Sequence, residues 1–505
     1  MPEEAKAGGG GQEARASEAG GLEALLQKVD VAVPKKPVDL ESLVQEEGAD
    51  KADMMTVALR VFLGHVARSG KAEKVDKTLI DRHIAEIDSL LSSQLDEILH
   101  QEDFQKLESA WRSLKFLVDR TDFRRNVKIE LLQVSKTELL EDFEDAPEVT
   151  QSGLYKHMYK DEYDTPGGEP YGAIVGNYQF SRGPQDIALL QNLAKVSASC
   201  HAPFLSSVDA TFFGLDDLRK LPHVPDKAAI FESVEYIKWN SFRKTEDARY
   251  LGLTFPRFLT RLPYGPETTP VKSFNYQEQV RGEDHNKYLW GNSAFAMATN
   301  LTRSFADNGW CVQIRGPQSG GAVENLPIHL YDAGGNKQAK IPSEVLITDT
   351  EELEYSKLGL IPLSYYKGRD YACFFSANST QEPQKYSTAE ATANSRISAR
   401  LPYVFLVSRL SHYLKVIQRE NIGATKDRSM LEGELNSWIK RLVTETKNPS
   451  ADVMARHPLR AAEVRVHEIA DNPGFYRVEL LVMPHFQIEG MDIGISLVAQ
   501  MPRAK

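Results

Sequence analysis

The sequence predicts an α+β protein: an N-terminal helical arm and helices, a central mixed α/β domain, and a C-terminal domain of helices plus antiparallel strands ending in a β-hairpin. Three observations predict it. Apolar residues recur at helical spacing through residues 51 to 121. Short Val/Ile-rich runs alternate with helical stripes from Asn126 to Ala377, as in layered α/β folds. Beyond residue 460 the period shortens to two, around an Asp471-Asn-Pro-Gly474 turn signal. The expected boundaries are residues 1–50 for a tail and amphipathic arm, 51–380 for an N-terminal and middle domain, and 381–505 for a C-terminal domain.

Met1 to Gly21 is Gly, Ala, Glu and Ser with almost no apolar residue, a composition that cannot bury enough surface to order itself. Leu22, Leu25, Leu26, Val29 and Val33 then fall on one helical face, and Pro34 stops the run. So short a helix is marginal alone, so it is read as docking into a partner's groove; packing back on its own domain is the plain alternative. Ala58, Leu59, Phe62, Leu63 and Val66 mark a further helix. Asp76 is a candidate N-cap for a stripe of Leu79, Ile80, His83, Ile84, Ile87, Leu90, Leu91, Leu95 and Ile98. Phe104, Leu107, Trp111, Leu114, Leu117 and Val118 mark the next. Such stripes are core or partner-facing packing.

Lys128–Val134 reads as a strand, and Ser135-Lys-Thr-Glu138 as a capping box. Tyr171–Tyr178 is a second strand, followed by a helix with Pro184 in its first turn. Further strands are expected at Pro203–Ser207, Leu251–Phe255, Leu326–Tyr331, Val345–Thr348, Gly359–Ser364 and Tyr371–Ser376, and helices at Ala228–Trp239 and Trp290–Phe305. Gln381–Thr392 reads as a linker, before helices at Pro402–Glu420 and Arg428–Thr446. Glu463–Ile469 is a strand. Tyr476, Val478, Leu480 and Val482 alternate with polar residues in another, and Ile493, Ile495 and Leu497 in the last. A terminal hairpin offers a backbone edge that another chain can join, unless its own subunit caps it.

The net charge of −11 disfavours a nucleic-acid footprint. It is unevenly spread: residues 1–50 carry eleven acids and five bases, and residues 395–460 twelve bases and six acids. Each is either a solvated face or a complementary surface in an assembly. No run of about 18 apolar residues exists to span a membrane, and the polar start does not read as a secretory signal. Cys200, Cys311 and Cys373 are sparse and odd in number, which fits a reducing cytoplasm and no disulfide framework.

Catalytic motifs do not assemble. Gly316-Pro-Gln-Ser-Gly-Gly-Ala-Val-Glu-Asn-Leu-Pro327 is Gly-rich, but Ala322 and Val323 stand where a phosphate loop needs Lys and Ser/Thr. Pro317 stands where a nucleophile elbow needs Gly. The loop reads as architectural. Cys200-His201 reads as a buried thiol beside a helix end, and His329 and His467 as packing residues on strands. Asp216-Asp217 and Glu351-Glu352 read as solvated pairs rather than acid/base machinery. Asp332-Ala-Gly-Gly-Asn336 is a turn, without the alternating carboxylates of a calcium loop. Phe274, Tyr276, Tyr288 and Trp290 near Lys272 and Lys287 could stack bases, but no RNA-binding strand signature accompanies them. No cofactor or metal is expected.

Collinear segments along most of the chain carry a resemblance. They include Leu107-Glu-Ser-Ala-Trp-Arg-Ser-Leu-Lys115, Ser152-Gly-Leu-Tyr-Lys-His157, Glu246-Asp-Ala-Arg-Tyr-Leu-Gly-Leu253, Tyr288-Leu-Trp-Gly-Asn292, the Gly316–Pro327 loop, Phe374-Phe-Ser-Ala-Asn-Ser379 and Glu434-Leu-Asn-Ser-Trp-Ile-Lys440. Together they resemble the large sheath subunit of the bacterial type VI secretion system, the TssC/VipB family. The resemblance implies a cytoplasmic structural protein rather than an enzyme. It implies partnership with a small sheath subunit (the TssB/VipA family), with further copies of the chain in a helical polymer, with an Hcp inner tube and with a baseplate. It also implies recycling by the AAA+ unfoldase ClpV, with Leu22, Leu25, Leu26 and Val29 as the anchors of the seized helix. The terminal strands resemble the family's interlocking strands. Lys415, Arg419, Lys426, Arg428, Lys440 and Arg441 become candidates for tube or intersubunit contacts. Contraction of such a lattice requires two packings with a biased equilibrium. A related contractile particle's sheath or baseplate is the second reading, and an α/β enzyme using Gly316–Gly321 to hold an anion the third.

Overall fold

Parallel strands buried on both faces organise the larger of two units in the computed structural model, which describes residues 77–444, 446, 449–469, 475–485 and 487. That unit holds Arg112–Thr260, Trp290–Pro327 and Ile341–Lys505. β1 (Ile174–Phe180), β2 (Phe204–Val208), β3 (Leu251–Phe255) and β9 (Ile361–Pro362) pair in that order, all parallel. Successive side chains leave opposite faces of a strand. Phe204, Leu251 and Leu253 therefore pack into one core with the helix Pro184–Cys200, while Leu205 and Ile361 pack into another with the helices Ser293–Asn308 and Leu401–Asn421. The result is helix, sheet and helix, as the alternation of elements predicts, and the mixed α+β class holds. Gly252 is required in β3, since a Cβ there would meet Leu205 Cδ2 and Leu401 Cδ1 at 2.7 Å each.

Local chemistry sets the helix starts. Ser135 accepts from Glu138 N–H while the Glu138 carboxylate accepts from Ser135 N–H, the expected capping box. Pro184 occupies the first turn of its helix. A second capping box, Thr348 with Glu351, opens the helix Asp349–Lys357. That box overturns the strand expected at Val345–Thr348: the apolar run leads into a helix start, and the Thr-x-x-Glu spacing was the signal for it.

Four other expectations are corrected. Lys128–Val134 joins no ladder; Leu131 and Leu132 face solvent, and the segment is tied to β1 by the Tyr178 hydroxyl donating to Val134 O. Strand propensity without a pairing partner does not make a strand. The helix at Ala228–Trp239 is two, Lys227–Phe231 and Ile237–Arg243, separated by a 3₁₀ turn at Val234–Tyr236. The linker at Gln381–Thr392 runs into the helix Ala389–Ser398, capped by Thr388. The helix at Arg428–Thr446 ends at Lys440.

The smaller unit holds Met1–Trp111, Arg261–Leu289 and Ile328–Lys340. Its described part has the helix α1 (Lys77–Leu99), the first half of α2 (Glu102–Asp119), an irregular segment and an antiparallel hairpin, His329–Ala333 with Asn336–Lys340, around the expected Gly334-Gly335 turn. Glu278 is buried there. It accepts from Arg261 Nη1 at 2.7 Å and from Tyr264 N–H at 2.8 Å, and lies 3.0 Å from His100 Nε2. Burial raises its carboxyl, but His100 and Arg261 outweigh that and hold it below its usual range. Asp96 accepts from the Tyr276 hydroxyl at 2.6 Å. Tyr276 and Tyr288 are thereby core residues, not a base-stacking platform. Along α1, Ile84, Ile87, Leu90 and Leu91 are 42–54% exposed, so the described residues leave much of the predicted stripe uncovered.

Candidate assembly interface

The described part of the C-terminal region is built on two helices and a hairpin. α10 (Leu401–Asn421) and α11 (Arg428–Lys440) contribute Leu406, Leu410, Leu435 and Ile439 to an apolar layer. β12 (Leu459–Glu468) and β13 (Tyr476–Pro484) pair antiparallel and cover it with Leu459, Val464 and Val466, flanked by half-buried Tyr476, Val478, Leu480 and Val482. The alternation read from the sequence is thus the packing of one sheet face. The opposite face is charged: Arg465 pairs with Glu463 at 2.9 Å, and His467 lies 3.3 Å from Glu479 across the strands. Ile493, Ile495 and Leu497, the turn at residues 471–474, the anchors Leu22, Leu25, Leu26 and Val29, the predicted helix at Ala58–Val66 and the Asp76 cap lie outside the described residues.

Helix α11 runs along the outer side of β12 with three side chains spaced four apart. Asn436 Nδ2 donates to Val464 O at 2.7 Å, and Asn436 Oδ1 accepts from Val464 N–H at 2.9 Å. Glu432 accepts from Val466 N–H at 3.2 Å, and Arg428 donates to Val466 O at 3.4 Å. Charge singles out Arg428 in the sequence, but not Asn436 or Glu432. Their i, i+4 spacing was visible, but the strand they face was not.

The six basic candidates divide. Lys415 pairs with Asp164 at 2.8 Å and lies 3.7 Å from the centre of the Tyr163 ring. Its ammonium holds the Asp164 carboxyl below the usual range. Arg419 donates to Thr165 O and Asp164 O at 3.2 Å each. Lys426 pairs with Glu434 at 2.5 Å. These three tie the helices to their own chain. Lys440 and Arg441 are exposed at the end of α11.

The Gly-rich loop is structural in detail. Gly316 N–H donates to Phe374 O, Ser319 and Gly321 N–H both donate to Gly316 O, and Phe374 N–H donates to Gly321 O. Arg303 donates to Gly320 O and Ala322 O at 2.8 and 2.7 Å. An anion cradle needs converging free backbone N–H groups; here those of Gly316, Ser319 and Gly321 are committed to carbonyls, and the Arg303 guanidinium is taken up by the loop's own carbonyls. Cys200 and His201 end the helix Pro184–Cys200, the His in a left-handed cap conformation. Burial pushes the Cys200 thiol up to about 11 and the Cys373 thiol to about 12, so neither is a nucleophile near neutrality. His329 meets the Tyr288 hydroxyl at 2.7 Å. His412 is buried, with Nε2 2.9 Å from Cys200 O, and burial lowers it to about 4.

No described helix is long and apolar enough to cross a membrane. Residues 81–381 match the family model of the EvpB/VC_A0108 tail sheath N-terminal domain, and residues 390–501 that of the EvpB/VC_A0108 tail sheath gpW/gp25-like domain. A curated relative, the type VI secretion system sheath protein TssC1 of Pseudomonas aeruginosa (strain PAO1), is 44% identical over 430 residues, covering 84% of this chain and 86% of its own. Among solved structures, the baseplate of the anti-feeding prophage aligns at a TM-score of 0.37 and 11% identity, over 74% of this chain and 84% of that one. The contracted helical sheath of the same particle aligns at 0.31 and 12%, over 62% and 66%. Likenesses that slight carry no argument. The two family models span most of the chain in order, and with the close relative they establish that it belongs to the EvpB/VC_A0108 (TssC/VipB) family of type VI secretion tail sheath proteins.

Proposed function

We propose that this chain is the large subunit of a contractile type VI secretion sheath, that it pairs with a small sheath subunit in the cytoplasm, and that the pairs polymerise around an Hcp inner tube and contract to propel it. The observation that carries the reading is the 44% identity to a named sheath protein along nearly its whole length. The chain does no covalent chemistry in this reading; the family's role is structural, and the Gly-rich loop's committed N–H groups support it. The hairpin β12–β13 and the terminal segment with Ile493, Ile495 and Leu497 serve as interlocking strands between subunits. Backbone hydrogen bonds suit that task, because they resist tension without depending on one side chain. Lys440 and Arg441 are the basic candidates left for tube or neighbour contacts, and the uncovered stripe of α1 is a further surface for an assembly to cover. Leu22, Leu25, Leu26 and Val29 anchor the helix seized by the ClpV unfoldase, and the baseplate seats one end of the polymer. A domain boundary near residue 380 belongs to the same proposal.

The test is co-expression with the neighbouring small-subunit gene product, followed by negative-stain microscopy of the pelleted fraction. Hollow tubes are expected. A soluble pair that never polymerises would overturn the sheath role in favour of a baseplate or accessory one.

A further inference from the structure

The two halves of α10 are held differently. The first carries Leu401, Phe405, Leu406 and Leu410 into the core, but after His412 no residue of the helix is buried. There Leu414 and Ile417 pack, half-buried, with the hairpin layer. Another side of the same half meets a seam made by the π-helical segment Lys156–Asp164, the end of the helix Pro184–Cys200 and the 3₁₀ turn Asp247–Tyr250. Lys415 and Arg419 bind the end of the π-helical segment, and His412 binds Cys200 O. The seam belongs to the region matched by the first family model and α10 to that matched by the second.

His412 is the buried member of this contact. A carbonyl only accepts, so Nε2 carries the proton that Cys200 O takes, and Nδ1 is left as the bare acceptor. That Nδ1 is sealed from solvent and has no hydrogen-bond partner among the described residues. The ring packs 5.6 Å from the Tyr163 ring and 6.4 Å from that of His201, centre to centre. His201 Nδ1 lies 3.0 Å from the Tyr250 hydroxyl. The charges that act on His412 from its own helix are Arg409 and Lys415, both positive. The facing elements offer little to offset them. Burial keeps the Cys200 thiol and the Tyr163 and Tyr250 phenols neutral, and the Asp164 carboxylate is already paired with Lys415. A proton arriving at Nδ1 therefore puts a buried charge beside two cations and finds no acceptor. The bond to Cys200 O survives that proton, so repulsion and desolvation, not a lost bond, oppose it.

We infer that His412, with His201 beside it, is an acid-sensitive latch between the two matched regions: when neutral it lets the second half of α10 seat on the seam, and when protonated it drives that half off. The latch does not depend on the sheath reading; in a sheath subunit it makes the junction between the two regions yield on acidification. Burial first, then Arg409 and its neighbours, hold the seated imidazole at about 4, and release returns it to the ordinary 6.5. Burial and Lys415 lower His201 in the same direction. The protonated form thus favours release, and the released fraction should grow roughly thirtyfold between about pH 7.5 and pH 5.

Amide exchange read by mass spectrometry on the full-length chain, co-purified with the small subunit, tests this, with rates corrected for the intrinsic effect of pH. Between about pH 7.5 and pH 5, residues 412–421 should lose roughly thirtyfold in protection, while the helix Ser293–Asn308 keeps its own. His412→Gln can still donate to Cys200 O but takes up no proton, and its loss should shrink to about threefold or less. Equal losses in wild type and His412→Gln would overturn the latch, as would a wild-type α10 that stays protected at the lower pH. Should His412→Gln misfold, exchange of the histidine ring Cε1 hydrogen decides on the wild type alone, because it reports the protonation of each histidine. His412 should then titrate between 4 and 6.5, at the same pH at which residues 412–421 lose protection. Protection lost while His412 is still neutral, or His412 protonated with α10 still protected, would refute it.

Discussion

Replacing Gly321 by alanine would test the architecture of the Gly-rich loop most directly. A Cβ at Gly321 would sit 2.5 Å from Arg315 C and from Phe374 O, and closer still to Gly316 N. All three are backbone atoms held by the loop's own hydrogen bonds, so no side chain can swing aside. Ordinary contact begins at 3.4 Å, so the backbone must separate by about 1 Å at several points at once. Overpacking a well-packed site costs about 1–3 kcal/mol, and this site belongs at the upper end. At roughly 2 °C per kcal/mol for large domains, the apparent Tm should fall by about 6 °C. The assay is thermal unfolding of the purified pair, with Gly172→Ala as control, because a Cβ at Gly172 meets nothing within 4 Å. A Gly321→Ala Tm within about 1 °C of wild type would refute the packing argument. Inorganic phosphate supplies a second arm. Were the loop an anion cradle, phosphate at roughly a hundred times its Kd would stabilise the protein by about 2.7 kcal/mol, whereas no stabilisation is expected.

Other perturbations follow from the same reasoning. Leu25→Asp with Leu26→Asp should abolish pull-down by the ClpV unfoldase while tubes still form; loss of the tubes would remove the assigned role. Deleting residues 490–505 should leave a soluble pair and no long tubes by microscopy, and normal tubes would exclude strand exchange. Glu278→Gln removes one charge from a buried ionic network with Arg261 and should cost about 3 kcal/mol or more, read as a lower Tm; an unchanged Tm would mean the pair is water-exposed. His412 has a folded pKa of about 4, below the ordinary value of 6.5, so the unfolded chain binds more protons between those limits. Its contribution is full above about pH 6.5 and declines by up to about 3 kcal/mol as pH falls to 4. His412→Gln should flatten that decline in Tm, and an unaltered slope would place the titration elsewhere.

The path from sequence to site was legible wherever the cause is local. Capping at Ser135, proline at the first turn of the helix after β1, the Gly334-Gly335 turn and the two-residue period of β13 depend on neighbours in the chain, and the fold keeps each. The misread segments had the right composition and lacked a partner. Lys128–Val134 has strand propensity with no ladder to join, and Val345–Thr348 leads into a capped helix.

The mixed α+β class, the family, the absence of a phosphate-loop signature and the face of β13 that turns inward were all readable from residue order alone. Periodicity, capping and Gly/Pro placement act within a few residues of themselves and can be read without coordinates. Which of the basic residues are already engaged, and which strand of the hairpin α11 binds, emerged from the packing of the elements. Both depend on groups distant in the chain: Lys415 on Asp164, and Val464 on Asn436. A hydrogen bond is decided within a few tenths of an ångström, and no spacing rule in the sequence carries that distance between elements.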